Sequence, residues 1–204
     1  MKHGLIELYE LIGGVLGDPS GFPLRAVMTG IAFEESHGDP LAFVLHDGRD
    51  RSPSTGLYMV HQPAWPEIYA ATEAVRTEAD GPSSDEWKIQ EMTRLAEPIL
   101  ADALKAAVAA GHTLNSRGFS TTVLDTALFV DAAWQTGSPH LSAWARSTKT
   151  GDPREIVNPS RTVSIEAALR DLAHGELGVV PGVGVALSIL GGLAAGALVL
   201  SMID

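Results

Sequence analysis

The chain has 204 residues, a formal net charge of −11, no cysteine and a hydrophobic content of 45%. That length holds one sizeable domain and an appendage. The acidic balance argues against a nucleic-acid partner, which needs clustered Lys and Arg, and the lack of cysteine excludes disulfides, thiolate metal ligands and a cysteine nucleophile.

Leu5, Ile6, Leu8, Leu11, Ile12, Val15 and Leu16 recur at helical spacing, which predicts an amphipathic helix over 3–16. Glu7 and Glu10 interrupt its apolar character and only Lys2 and His3 precede it, so it does not have the pattern of a secretory leader. A protein acting outside its cell of synthesis would then leave by lysis or in a virus particle. Gly17 to Gly21 is a breaker, and Pro23 to Glu35 reads as a second helix with proline near its first turn. Residues 38–55 read as a loop or small hairpin, with Ala42 to Leu45 as a strand-like island. Pro66 to Arg76 reads as helix. A polar loop over 78–85 leads through Ser83-Ser84-Asp85-Glu86, a helix-cap pattern, into a long helix over 86–110 that Pro98 interrupts and Gly111 ends. Thr121 to Thr136 is an apolar helix stopped by Gly137-Ser138-Pro139, and Leu141 to Ser147 is a short one. A polar loop over 148–161 precedes a last amphipathic helix from Ser164 to His174.

The composition then changes. Leu177 to Ile203 carries no charge outside the flanking Glu176 and Asp204. As a helix, Val183 to Ile203 spans roughly 30 Å, the thickness of a bilayer core. Gly192-Leu193-Ala194-Ala195-Gly196 has the small-residue spacing that lets membrane helices approach closely. The reading is a transmembrane anchor over 178–203; the alternative is a buried apolar helix of an assembly.

Chemistry concentrates around Ile31-Ala32-Phe33-Glu34-Glu35-Ser36-His37-Gly38-Asp39-Pro40. A carboxyl group at a helix end against an apolar wall is desolvated, and such a group can act as a general acid near neutral pH. Glu35 is the candidate, and a solvated helix-end residue is the plain alternative. Asp47 and Asp50 are candidates for a second carboxylate, although Asp-Gly and Arg-Asp-Arg are also ordinary surface turns. Tyr58 is the aromatic expected in a cleft and Trp65 the one expected in a core. Asp39 is expected to cap a turn. No histidine spacing suits a metal, so no metal or other cofactor is expected.

Glu35-Ser36, then Gly38-Asp39-Pro40, then Ser54-Thr55-Gly56-Leu57 and Pro63-Ala64-Trp65 together resemble the lysozyme-like superfamily, most of all lytic transglycosylases and goose-type lysozymes. The resemblance covers about residues 25–70, and more loosely 120–145, where Ala127 to Gly137 looks like the superfamily's third helix. It implies a mainly α, lysozyme-like domain over 1–175 with a small β or loop element over 41–60. It implies cleavage of the β-1,4 bond between N-acetylmuramic acid and N-acetylglucosamine in peptidoglycan, by transglycosylation or by hydrolysis. Glu35 would be the acid and then the base. Substrate contacts would come from Ser36, Ser54, Gly56, Leu57, Tyr58, Gln62 and Gln135. The family's glutamine after Gly-Leu-x is Met59 in this chain, a departure that bears on substrate binding. Expected partners are peptidoglycan strands, a lipid membrane through 178–203 and other virion membrane proteins. The setting suggested is a bacterial-virus particle with an internal membrane, or else a bacterial membrane facing the wall. A rival reading is a structural or membrane-penetrating virion protein whose degenerate lysozyme-like domain only binds glycan.

Overall fold

The computed structural model describes residues 3–17, 22–47, 51–78 and 84–172. Among these the chain is mainly helical, with one small antiparallel sheet. The breaker residues 18–21, Asp50, the loop residues 79–83, His174 and the expected membrane span 178–203 lie outside the described residues. No helix among the described residues is long and apolar enough to cross a membrane. The chain divides into two compact units, Met1–Gly17 with Met28–Glu97 and Asp18–Val27 with Pro98–Asp204.

In the first unit, α1 (Leu5–Gly13) buries Leu8, Tyr9 and Ile12 along one stripe and leaves Ile6 exposed. Helix α2 (Leu24–Ser36) begins in the second unit and ends in the first. The sheet follows, built from β1 (Phe43–Asp47), β2 (Ser52–Thr55) and β3 (Val60–His61) in the order β1-β2-β3. Phe43 pairs with Thr55 and Val44 with Ser54, and an irregularity follows before Asp47 meets Ser52. On the far side of β2, Ser54 pairs with His61 and Thr55 with Val60. The island expected over 42–45 is therefore the edge strand of a true hairpin. Phe43, Val44 and Leu45 are exposed at successive positions, so both faces of β1 meet solvent.

Helix α3 (Pro66–Thr77) starts on a proline, whose missing N–H is no loss in a first turn, and packs on β2 and β3. Its C-terminal end is closed by Lys88, a buried ammonium that donates to the carbonyls of Arg76 at 2.8 Å and Glu78 at 3.4 Å. Lys88 belongs to α4 (Asp85–Ser116), whose start Ser84 caps by accepting from the Trp87 amide. The first unit's fully buried side chains include Leu8, Ile12, Ile31, Leu57, Tyr58, Ile89 and Met92. Burying each one stabilises by about 1.5–3 kcal/mol relative to exposure.

The second unit takes α4 from Pro98 onward. Gly111 does not end this helix, which continues to Ser116. The stop is Gly118, at φ +89°, where the amides of Arg117 and Phe119 both turn back to the Leu114 carbonyl. Helix α5 (Val123–Thr136) opens on a reciprocal cap between Thr122 and Asp125 and closes at Gly137, φ +83°. Helix α6 (Ser138–Ser147) begins earlier than expected because Pro139 fits its first turn. The segment expected as a polar loop over 148–161 holds a 3₁₀ turn, Pro153–Glu155, and the start of α7 (Pro159–Leu172). Glu155 organises it by accepting from Trp144 Nε1 at 3.1 Å, Thr148 Oγ1 at 2.9 Å and Thr150 Oγ1 at 2.8 Å. Helix α5 packs against α6, α7 and the 3₁₀ turn. Asp131, fully buried on α5, takes Arg161 Nε at 3.0 Å and a second guanidinium nitrogen at 2.6 Å.

Candidate functional site

Helix α2 ends where the apolar run ends. Ile31 and Ala32 are buried, and Glu35 is half-buried in the last turn. Two successive left-handed residues, His37 at φ +53° and Gly38 at φ +70°, terminate the helix. Gly38 has no room for a side chain, because a Cβ there would stand 2.7 Å from the His3 carbonyl oxygen and 2.8 Å from Leu8 Cδ1. Ser36 is buried and donates its hydroxyl back to the Ala32 carbonyl at 3.0 Å. His37 is exposed, its Nδ1 3.1 Å from the Phe33 carbonyl. Asp39 caps the turn, as expected, by accepting from the Leu41 amide at 3.0 Å.

A backbone relay joins this helix end to the second motif. The Asp39 amide donates to Ser36, the Ala42 amide to Asp39, and the Gly56 amide to Ala42 at 2.9 Å. Gly56 sits at φ +78°, and a Cβ there would be 2.5 Å from Thr72 Cγ2 and 3.0 Å from Met92 Sδ. Only glycine fits that turn. The Leu57 amide donates to Met92 Sδ at 3.3 Å, and the Met59 amide closes the turn on the Gly56 carbonyl. The structure thus brings Glu35-Ser36 and Ser54-Gly56-Leu57 into one connected segment of the first unit.

Several of the expected contact residues place their side chains inward. Leu57 is fully buried, and Tyr58 is a core residue at 1% exposure, its hydroxyl 3.1 Å from Thr93 Oγ1. Burial pushes the Tyr58 phenol up, partly offset by that hydrogen bond. Ser54 is fully buried, 3.1 Å from Nδ1 of half-buried His61. Trp65 is half-buried at the head of α3. Gln62 is exposed. Met59 is half-buried with a left-handed backbone at φ +47°. Asp47 ends β1 and Asp50 lies outside the described residues. Gln135 belongs to the second unit, exposed, donating to Asp131 Oδ2 at 3.3 Å.

The sequence reading missed a polar cluster behind the second motif. Glu73 of α3 accepts from Thr55 Oγ1 at 2.6 Å and from Arg76 Nε at 2.8 Å, with a further Arg76 nitrogen on its other oxygen. The Arg76 guanidinium also lies over the Phe43 ring, 4.9 Å from its centroid. The Arg76 hydrogen bonds, helped by Thr55 and opposed by partial desolvation, hold the Glu73 carboxyl below its usual range. The Glu73–Arg76 spacing is an ordinary helical ion pair and is visible in the sequence. The partnership with Thr55, eighteen residues away, is not. Among the described residues no group of three His, Asp or Glu side chains is placed to hold a metal ion. No protein-family model, no curated protein and no solved structure matches the chain.

Proposed function

We propose that this chain is a peptidoglycan-cleaving enzyme in which Glu35 protonates the leaving oxygen of the glycosidic bond. The observation that carries the reading is the backbone relay from Ser36 through Asp39 and Ala42 to Gly56. It joins a half-buried carboxylate at a helix end to a turn that has no side chain at its apex. The turn is held by Thr72 and Met92 packed against Gly56, and the half-buried carboxylate is the group that acid-assisted cleavage needs.

In the transglycosylase form, Glu35 gives its proton to the leaving sugar and then takes one from the muramyl hydroxyl that attacks the anomeric carbon, giving an anhydro product. In the hydrolase form, water attacks instead and a second carboxylate such as Asp47 assists. The apolar residues 178–203 would hold the enzyme in a membrane, as in a virus particle that opens the host wall locally for genome delivery.

Digestion of purified peptidoglycan by the full chain, beside Glu35→Gln, tests this by product mass. Wild type is expected to release anhydromuramyl or reducing-end fragments, with the variant slower by about 10²–10⁴-fold. No product from folded wild type on several wall types would overturn the reading. It would favour the glycan-binding or structural alternative, which has one observation of its own: Met59, in a strained backbone conformation, stands where the resembling family carries glutamine.

A further inference from the structure

The pair Glu73 and Arg76 touches two paired strands, β1 and β2, the second of which leads into the Gly56 turn. Glu73 holds Thr55, the residue immediately before Gly56, and Arg76 covers Phe43, which is paired with Thr55 across the sheet. One turn of α3 therefore grips neighbouring residues of β1 and β2. Thr72, in the same turn, fills the space in front of Gly56 with its methyl group. The Thr55 side chain is fully buried, so its hydroxyl has no access to bulk water as an alternative partner. Without the carboxylate, a buried donor would be left at the base of the turn.

We infer that Glu73 is a positioning residue: through Thr55 it fixes the Gly56–Leu57 backbone, and with Arg76 it makes α3 the support of the candidate site. Both of its oxygens are engaged by Arg76 and Thr55, so it acts as neither the acid nor the second carboxylate. The glycan-binding part of this inference rests on the proposed function; the mechanical part does not.

Hydrogen exchange on the full chain separates the two. The Gly56 and Leu57 amides have defined acceptors, the Ala42 carbonyl and Met92 Sδ, and report opening of the turn. Ile89, buried on α4, reports opening of the unit as a whole. In Glu73→Gln and Thr55→Val, exchange at Gly56 and Leu57 should accelerate roughly tenfold to a hundredfold, the range for loss of a hydrogen bond to a charged group. Ile89 should be nearly unchanged. Thr55→Ser, which keeps the hydroxyl, should restore slow exchange. On peptidoglycan, the same two variants should raise KM more than they lower kcat, with Thr55→Ser again close to wild type.

Unchanged exchange at Gly56 in both variants would overturn the inference, and so would equal acceleration at Ile89. Should Glu73→Gln fail to fold, the comparison of Thr55→Val with Thr55→Ser carries the test alone. A wild type that cleaves nothing would sink the proposed function while the exchange result still decided the role of Glu73.

Discussion

The ion pair between Asp131 and Arg161 permits a quantitative test of the second unit. Asp131 is 0% exposed on α5 and Arg161 is 9% exposed on α7, and a two-point contact at 3.0 and 2.6 Å joins them. Two charges in such a place have lost most of their hydration, and each depends on the other to offset that loss. Truncating either one takes the two-point charged partner from a buried charge, at a cost of about 3–5 kcal/mol. For a chain of this size each kcal/mol lowers the melting temperature by roughly 2–4 °C, so Asp131→Ala or Arg161→Ala should melt about 6–20 °C lower. Replacing both by apolar residues of similar volume, Asp131→Leu with Arg161→Met, removes both desolvation penalties together. That double variant should lie near wild type or above it. Denaturant unfolding of wild type, Asp131→Leu, Arg161→Met and the double variant closes the cycle that gives the coupling energy. Single variants within about 1 kcal/mol of wild type, or a double variant that loses the sum of the singles, would refute the reasoning.

Gly56→Ala should destabilise by about 1–3 kcal/mol, because a Cβ would meet Thr72 at 2.5 Å in a left-handed backbone. Gly17→Ala, with nothing within 4 Å, is the control for a thermal melt and should be nearly neutral. Thr122→Ala removes the reciprocal cap of α5 and should cost about 1 kcal/mol by denaturant unfolding. The Glu155 carboxyl lies below its usual range because Thr150, Thr148 and Trp144 donate to it. Its folded value is depressed, so the stability it contributes is present above the unfolded carboxyl pKa and is lost as pH falls through the lower folded value. The Trp144 indole N–H resonance should therefore shift only below the ordinary carboxyl range; a midpoint at the ordinary value would contradict that account.

Much of the helical order is legible in the sequence because apolar spacing and breakers coincide. Gly38, Gly137 and Pro66 stand at the helix boundaries that their chemistry suggests. Gly111 does not, because a glycine stops a helix only where the chain needs a left-handed backbone, and tertiary packing decides that. Gly118 meets the condition seven residues later. The start of α7 carries a readable signal, since Asn158 accepts from the Ser160 amide and Pro159 occupies the first turn. Its place inside a polar stretch hid it. An aspartate within Ala127 to Ala133 signals a buried partner, but nothing local points thirty residues ahead to Arg161. In the candidate site, the two motifs and their turn glycines are legible. The inward direction of Leu57 and Tyr58 is not, because a short turn between strands has no periodicity to show which side chains face the core.

The sulfur of Met92 has a consequence for redox chemistry. In a chain without cysteine, oxidative damage to sulfur falls on methionine alone. Met92 is 1% exposed, and its thioether already accepts the Leu57 amide where Gly56 packs against it. A sulfoxide oxygen has no room there while the turn is closed. Peroxide can reach this sulfur only during excursions in which the turn lifts away from α4. The rate at which Met92 gains oxygen is then a clock for those excursions, readable by mass in a protein that is otherwise folded.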